Sequence, residues 1–229
     1  MIEFIIEGER KEKLMFEVRK LVNAGRSGRD VSAVKKHMEE LRKTGAAIGT
    51  EFPIFWPKTP DRLTTSDRFG VLSGSKTSGE VEYVLLLDND TIYITVGSDH
   101  TDRELQKTDL LSAKQIYYNV CSPTVWRYDD VKDQWDDLTM RSWVEEGGQR
   151  VLYQEGKLQE ILRPENIIEE VRSRITGDLN GTVIFSGTFP TISGELSYSS
   201  RFGVELEDEH AGRAIRHGYV AEPISWFKK

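Results

Sequence analysis

A single cysteine, Cys121, stands in the 229 residues. That excludes an internal disulfide framework and suits a reducing compartment. Long apolar runs are missing. The longest, Tyr83–Leu87, is about five residues, far short of the roughly 20 that cross a bilayer. There is no basic excess either. Against 38 Asp and Glu stand 31 Lys and Arg, a net charge of −7. Nucleic acid is not an expected partner, because phosphate binding needs a basic surface. The N-terminal segment Met1–Glu7 alternates like a strand and lacks the basic and apolar regions of a signal peptide. Phosphate-binding glycine loops, zinc-type cysteine spacings and low-complexity tracts do not occur. With 38% hydrophobic and 30% charged residues, the chain is neither disordered nor membranous in composition. These absences predict a soluble, cytoplasmic protein that acts away from membranes.

The local signals alternate between strand and helix. Residues 2–6 read as a strand and 11–20 as a strand or short helix. A helix is expected over Asp30–Lys43, with Asp30 as N-cap, Gly45 as stop, and Val31, Val34, Met38 and Leu41 as its apolar stripe. A proline-bearing loop follows from Phe52 to Pro60. A hairpin spans 80–96, and a turn or helix lies around 102–115. A helix is expected near 126–138 and strands near 140–154. Pro164–Arg172 reads as a helix with proline at its start. Thr182–Ser186 reads as a buried strand, and 202–207 with 214–221 as a final hairpin. Many strands with few helices indicate α+β or a mixed β-roll. No linker divides the chain, so one domain over 1–229 is expected, with 1–20 as its N-terminal strand region.

The chemistry concentrates around the first hairpin. Glu80 and Glu82 are two apart on a strand, so they share a face. The strand turns at Asp88–Asp90 and returns to Asp99, which comes back to the end where the two glutamates started. Three carboxylates at one point repel one another. A hard divalent cation relieves that repulsion. A second pair, Glu205 and Glu207, has no third acid returning to it and reads as a solvated strand face. His37 and Glu40, three apart on the expected helix, can touch. A carboxylate beside a histidine orients the ring and raises its basicity, as a general base requires. Arg103 and Gln106 follow Asp99 closely. Arg103 suits either a carboxylate clamp or a brace for metal ligands. Lys114 suits polarisation of a carbonyl, and Lys58, after three large apolar residues, suits an anionic ligand. Thr188, next to Gly187, offers a hydroxyl. His100, on a strand just after Asp99, points away from the cluster and reads as structural. Cys121 reads as a packed side chain, and the five tryptophans as core or dimer contacts.

Glu80-Val-Glu82, then Ser98–Gln106 with its Asp99, Arg103 and Gln106, resembles the fumarylacetoacetate hydrolase family. Further pieces fall in the same order: His37 to Glu40, Pro53 to Lys58, Ser112 to Lys114, and Gly187 to Pro190. The likeness runs over roughly residues 20–220. It implies a mixed β-sandwich roll of the family's C-terminal-domain type with a few flanking helices, usually a homodimer. It implies one divalent cation, Mg²⁺ or Mn²⁺ (with Ca²⁺ as a substitute in crystals), held by Glu80, Glu82 and Asp99. It assigns His37 and Glu40 to water activation and Lys114 to catalysis. Lys58, Arg103, Gln106 and Thr188 would bind a small anionic substrate. The implied activity is metal-dependent C–C hydrolysis or decarboxylation of a 2-oxo acid or 1,3-dicarbonyl acid through an enolate. Hydratase or isomerase chemistry, or a non-catalytic binding homologue, are the alternatives. The chain departs from the family pattern at Asp102, where a small residue is usual, at Glu104, and at Phe189, which interrupts the Gly-Thr-Pro order. Asp102 in particular would add negative charge beside the site.

Overall fold

The computed structural model describes residues 1–32, 34–35, 39 and 51–227. The strands, in chain order, are β1 (Ile2–Ile6), β2 (Glu12–Phe16), β3 (Lys20–Gly25), β4 (Ile54–Lys58), β5 (Leu63–Thr64), β6 (Arg68–Val71), β7 (Thr77–Ser78), β8 (Val81–Asp88), β9 (Thr91–Asp99), β10 (Thr101–Asp102), β11 (Asn119–Cys121), β12 (Thr124–Arg127), β13 (Thr139–Glu146), β14 (Gln149–Lys157), β15 (Thr182–Phe185), β16 (Arg201–Asp208) and β17 (Arg213–Pro223). Two helices are α1 (Leu110–Ile116) and α2 (Pro164–Arg172). Residues 31, 32, 34, 35 and 39 are also helical, within the segment read as a helix from its sequence.

A ten-stranded sheet runs β2-β1-β12-β9-β8-β15-β3-β4, with β11 pairing β5 and β9 beside that path. A five-stranded sheet runs β14-β13-β16-β17-β6. Both are mixed: β1 with β12, β3 with β15 and β6 with β17 are parallel, while β8 and β9 form an antiparallel hairpin. With a two-stranded sheet of β7 and β10 beside them, this is the α+β architecture expected, mixed sheets with few helices. Among the described residues no helix is long and apolar enough to cross a membrane.

Strand β8 shows how the layers are built. Val81, Tyr83, Leu85 and Leu87 face a core shared with Met140, Val204, Leu206 and Ile215 of the five-stranded sheet. Val84 and Leu86 face a second core containing Phe4, Phe16, Val125 and Phe185. A strand covered on both faces carries a continuous apolar run rather than an alternation, which is what Tyr83–Leu87 is. Glu82 has the parity of Val84 and Leu86, so the chain places a carboxylate at the end of an apolar row. Cys121 lies in that second core, and burial pushes its thiol up to about 12. It is a packed residue, as its surroundings in the sequence suggest.

Two expected elements differ. The proline-bearing loop is strand β4, which pairs with β3 and lies at the end of the sheet order, where Pro57 needs no ladder donor. The helix expected near 126–138 is instead the end of β12 followed by two single 3-10 turns, Tyr128–Asp130 and Trp135–Asp137. The spacing of Tyr128, Val131, Trp135 and Leu138, all buried, imitates a helical stripe. Five aspartates between 129 and 137 favour local side-chain bonds over a continued helix. Of the tryptophans, Trp126 and Trp135 are core residues, whereas Trp226 is 82% exposed.

Candidate metal centre

Glu80 immediately precedes β8, Glu82 is its second residue, and Asp99 ends β9. The hairpin register pairs Val81 with Ser98 and Glu82 with Gly97. The Asp99 amide then donates to the Glu80 carbonyl at 3.3 Å. One oxygen from each of the three carboxylates lies within 4.8 Å of the others. Ligands about 2.0–2.6 Å from one cation are separated by no more than about twice that length, so the three fit a single centre. The close approach depends on small residues. A side chain at Gly97 would run into the Val120 carbonyl, and Gly187 adopts φ +82, a conformation glycine takes without strain. That turn aims the Gly187 N–H at Glu82 Oε2, 2.9 Å away.

The side chains around the three carboxylates are cationic and largely buried. Lys114 Nζ lies 2.5 Å from Asp99 Oδ2 and 3.1 Å from Glu80 Oε2. Lys58 Nζ is 3.6 Å from Asp99 Oδ1. Arg103 donates from Nη1 to Glu80 Oε1 at 3.0 Å and to Gln106 Oε1 at 2.9 Å, and from Nε to Ser78 Oγ at 2.6 Å. Arg103 therefore braces Glu80, one of the three clustered carboxylates. Burial works to raise the Glu80 carboxyl, but Arg103 and Lys114 override it and hold it down at about 2. Burial and the adjacent Asp99 push the Glu82 carboxyl well up. Burial brings Lys58 down to about 8 against the pull of Asp99. For Lys114 the carboxylates prevail over burial, and its ammonium is held above the usual lysine value. One detail bears directly on a cation. Asp99 Oδ1 is buried and accepts no hydrogen bond. A carboxylate oxygen left without a donor in a cluster of three suits a hard oxygen-seeking ion.

Of the residues singled out in the sequence, Glu80, Glu82, Asp99, Lys58, Arg103, Gln106 and Lys114 come together here. Thr188 sits at the edge of the cluster. Its hydroxyl donates to the Val81 carbonyl at 2.6 Å and accepts from Gln154 Nε2 at 2.8 Å. His37 and Glu40 lie outside the described residues. His100 is fully buried, with Nδ1 3.0 Å from the Tyr219 hydroxyl, which meets Ser98 Oγ at 2.8 Å. Ser98 Oγ in turn accepts from the Glu80 amide at 3.1 Å, so His100 supports the site from behind. The Asp102 carboxylate is taken up by its own turn, accepting from the Glu104 and Leu105 amides at 3.1 and 3.0 Å. These bonds are made within its own turn, not to Arg103. Phe189 is buried against Gly156, which explains why an aromatic residue interrupts the loop.

Three polar residues were missed. Lys58 Nζ donates to Asn119 Oδ1 at 2.6 Å, and Asn119 Nδ2 to Asn23 Oδ1 at 2.6 Å. Gln154, in β14, holds the loop at Thr188. Asn23 and Asn119 did carry a signal: each interrupts an apolar strand segment, where asparagine is disfavoured.

The family model described as "Protein of unknown function (DUF2848)" matches residues 24–219. No curated protein matches the chain in sequence. Several solved structures do match in fold. A Yersinia pestis CO92 protein described as of the fumarylacetoacetate hydrolase family has a TM-score of 0.65 at 16% identity, over 95% of this chain and 100% of its own. A yeast fumarylacetoacetate hydrolase family protein has a TM-score of 0.61 at 20% identity, over 90% and 94%. A 2-keto-3-deoxy-D-arabinonate dehydratase complexed with magnesium and 2,5-dioxopentanoate has 0.61 at 17%, over 95% and 78%. At these identities the likeness is one of fold. The chain thus belongs to the DUF2848 family of proteins of unknown function and has the fold of the fumarylacetoacetate hydrolase proteins.

Proposed function

We propose that the chain is a divalent-metal-dependent enzyme acting on a 2-oxo acid or 1,3-dicarbonyl acid through an enolate, by C–C hydrolysis or decarboxylation. The observation that carries this reading is the three-carboxylate cluster, in which the buried Asp99 Oδ1 accepts no hydrogen bond and has Lys58 Nζ 3.6 Å away. Glu80, Glu82 and Asp99 would hold Mg²⁺ or Mn²⁺. When bound, the ion supplies Lewis acidity toward the 2-oxo carbonyl and the charge that develops on it. Lys58 orients Asp99, and Arg103 orients Glu80 and keeps it ionised. Lys114, with Nζ between those two carboxylates, is the group placed to hold a proton beside the reacting carbonyl. Gln106 and Thr188 read the substrate. His37 and Glu40 activate water if the bond is hydrolysed. Hydration or dehydration of the same substrate class is the second reading, favoured by the fold likeness to a dehydratase complexed with magnesium and 2,5-dioxopentanoate.

The test is turnover of a panel of 2-oxo acids with Mg²⁺ or Mn²⁺, with oxalate as a mimic of the planar enolate. Turnover is expected to vanish with a chelator, return with metal, and yield to oxalate competitively. If millimolar oxalate has no effect on the metal-loaded protein, or if neutral esters react as fast as acids, the substrate assignment is wrong. Within the same assay, His37→Ala is expected to lower kcat by about 10²–10⁴, the usual weight of a general acid–base group, with Mn²⁺ affinity unchanged. Unaltered turnover in that variant would remove the water-activating role and favour decarboxylation.

A further inference from the structure

Strand β8 loses its backbone partner at the point where its ligands begin. On one side it pairs with β15, whose last paired residue is Phe185, opposite Val84. The Ser186 amide still reaches the Tyr83 carbonyl at 3.1 Å. Gly187 then turns the chain away at φ +82. From there side chains take over the ladder. Glu82 accepts from the Gly187 amide at 2.9 Å. The Val81 carbonyl accepts from the Thr188 hydroxyl at 2.6 Å, and the Val81 amide donates to Gln154 Oε1 at 3.0 Å. Val81 is the residue between the two glutamates. Both of its backbone groups are thus gripped from outside the strand.

Gln154 makes the larger share of this grip. It is 1% exposed. Its Oε1 also accepts from Ser142 Oγ at 2.9 Å, and its Nε2 donates to Thr188 Oγ1 and to the Phe189 carbonyl, both at 2.8 Å. An amide offers two acceptor sites and two donors, and here all four are used. The four bonds tie β13, β8 and the Gly187–Phe189 loop to one side chain. The loop donates to Glu82, and Val81 separates Glu80 from Glu82. A shift of this amide would therefore move two carboxylates at once.

We propose that Gln154 is a positioning residue for the carboxylate cluster, setting the spacing of Glu80 and Glu82 through Val81 and Thr188. This rests on the reading of that cluster as a cation site. Outer residues that orient metal ligands are worth about 10–100-fold in metal affinity, and Gln154 acts one step further along the same chain of bonds.

The test is calorimetric titration with Mn²⁺, below the melting range of every variant. Gln154→Leu removes all four bonds at similar volume and is expected to weaken Mn²⁺ binding by about 10–100-fold. Thr188→Val removes the hydroxyl link and is expected to weaken it in the same direction. The double variant should lose less than the two single losses combined, because both act through Val81. Ile167→Ala, a buried residue of α2, is the control. It should lower the melting temperature and leave Mn²⁺ affinity unchanged. Equal affinity in wild type, Gln154→Leu and Thr188→Val overturns the proposal. So does a loss in Ile167→Ala as large as in Gln154→Leu, since destabilisation alone would then explain both. If Gln154→Leu does not fold, Thr188→Val decides. A wild-type chain that binds no Mn²⁺ overturns the reading of the cluster itself, and this inference with it.

Discussion

Asp99→Asn is expected to abolish divalent-cation binding and to destabilise the metal-free chain at the same time. The Asp99 side chain is 1% exposed, with Lys114 at 2.5 Å and Lys58 at 3.6 Å. Asparagine keeps the shape and removes the charge. Lys58 then has no carboxylate partner, and Lys114 keeps only Glu80. Removing one member of a buried ion pair costs about 3–5 kcal/mol, because the remaining charge stays desolvated. Urea unfolding in the presence of a chelator measures the stability loss, and Mn²⁺ calorimetry the binding loss. A variant with the wild-type urea midpoint would mean that the two lysines are not held by Asp99. A variant that binds Mn²⁺ within tenfold of wild type would remove Asp99 from the ligand set.

Lys114→Met separates the two roles of the cluster. Methionine keeps much of the apolar stem and removes the ammonium that lies between Asp99 and Glu80. Turnover is expected to fall by about 10² or more, the scale of a lost acid–base group. The metal-free variant is expected to melt below wild type, because Glu82, Asp99 and Glu80 lose their central cation. Addition of Mn²⁺ should then raise its melting temperature by more than it raises that of wild type. The carboxylates no longer share their charge with a lysine, so they hold the ion more tightly. Each tenfold gain in affinity adds about 1.4 kcal/mol of stabilisation at saturating metal. A smaller metal-induced rise in the variant than in wild type would show that Lys114 does not compete for those carboxylates.

The carboxylate cluster was legible in the sequence because its information is local. A period of two places Glu80 and Glu82 on one face, and the short Asp88–Asp90 turn returns Asp99 to them. Helix α2 was legible for the same reason: proline opens it and buried Ile167 and Val171 lie four apart. What escaped is long-range. Gln154 acts on Val81 across 73 residues, and Asn119 on Asn23 across 96; no window of sequence contains such a pair. The parallel pairings of β3 with β15 and of β6 with β17 join segments more than a hundred residues apart, so the sheet order could be expected only through the family likeness. The stretch 126–138 misled because burial of Tyr128, Val131, Trp135 and Leu138 follows a helical spacing in a chain that turns twice instead. His37 and Glu40 fall outside the described residues, so their assignment still rests on spacing and resemblance.

The shell of Glu80, Glu82, Asp99, Lys58, Arg103 and Lys114 balances three anions with three cations. With all six ionised, Glu82 having given up the proton that burial favours, it is electroneutral apart from the ion. A divalent cation would leave it two charges positive, and burial makes such an excess costly. On the proposed C–C hydrolysis, a 1,3-dicarbonyl 2-oxo acid would enter as a monoanion and cancel only half of that excess. Its enolate is a dianion and cancels all of it. Charge closure would then be reached at the species resembling the transition state rather than at the bound substrate. An imbalance of that kind makes binding energy appear as rate instead of as ground-state affinity.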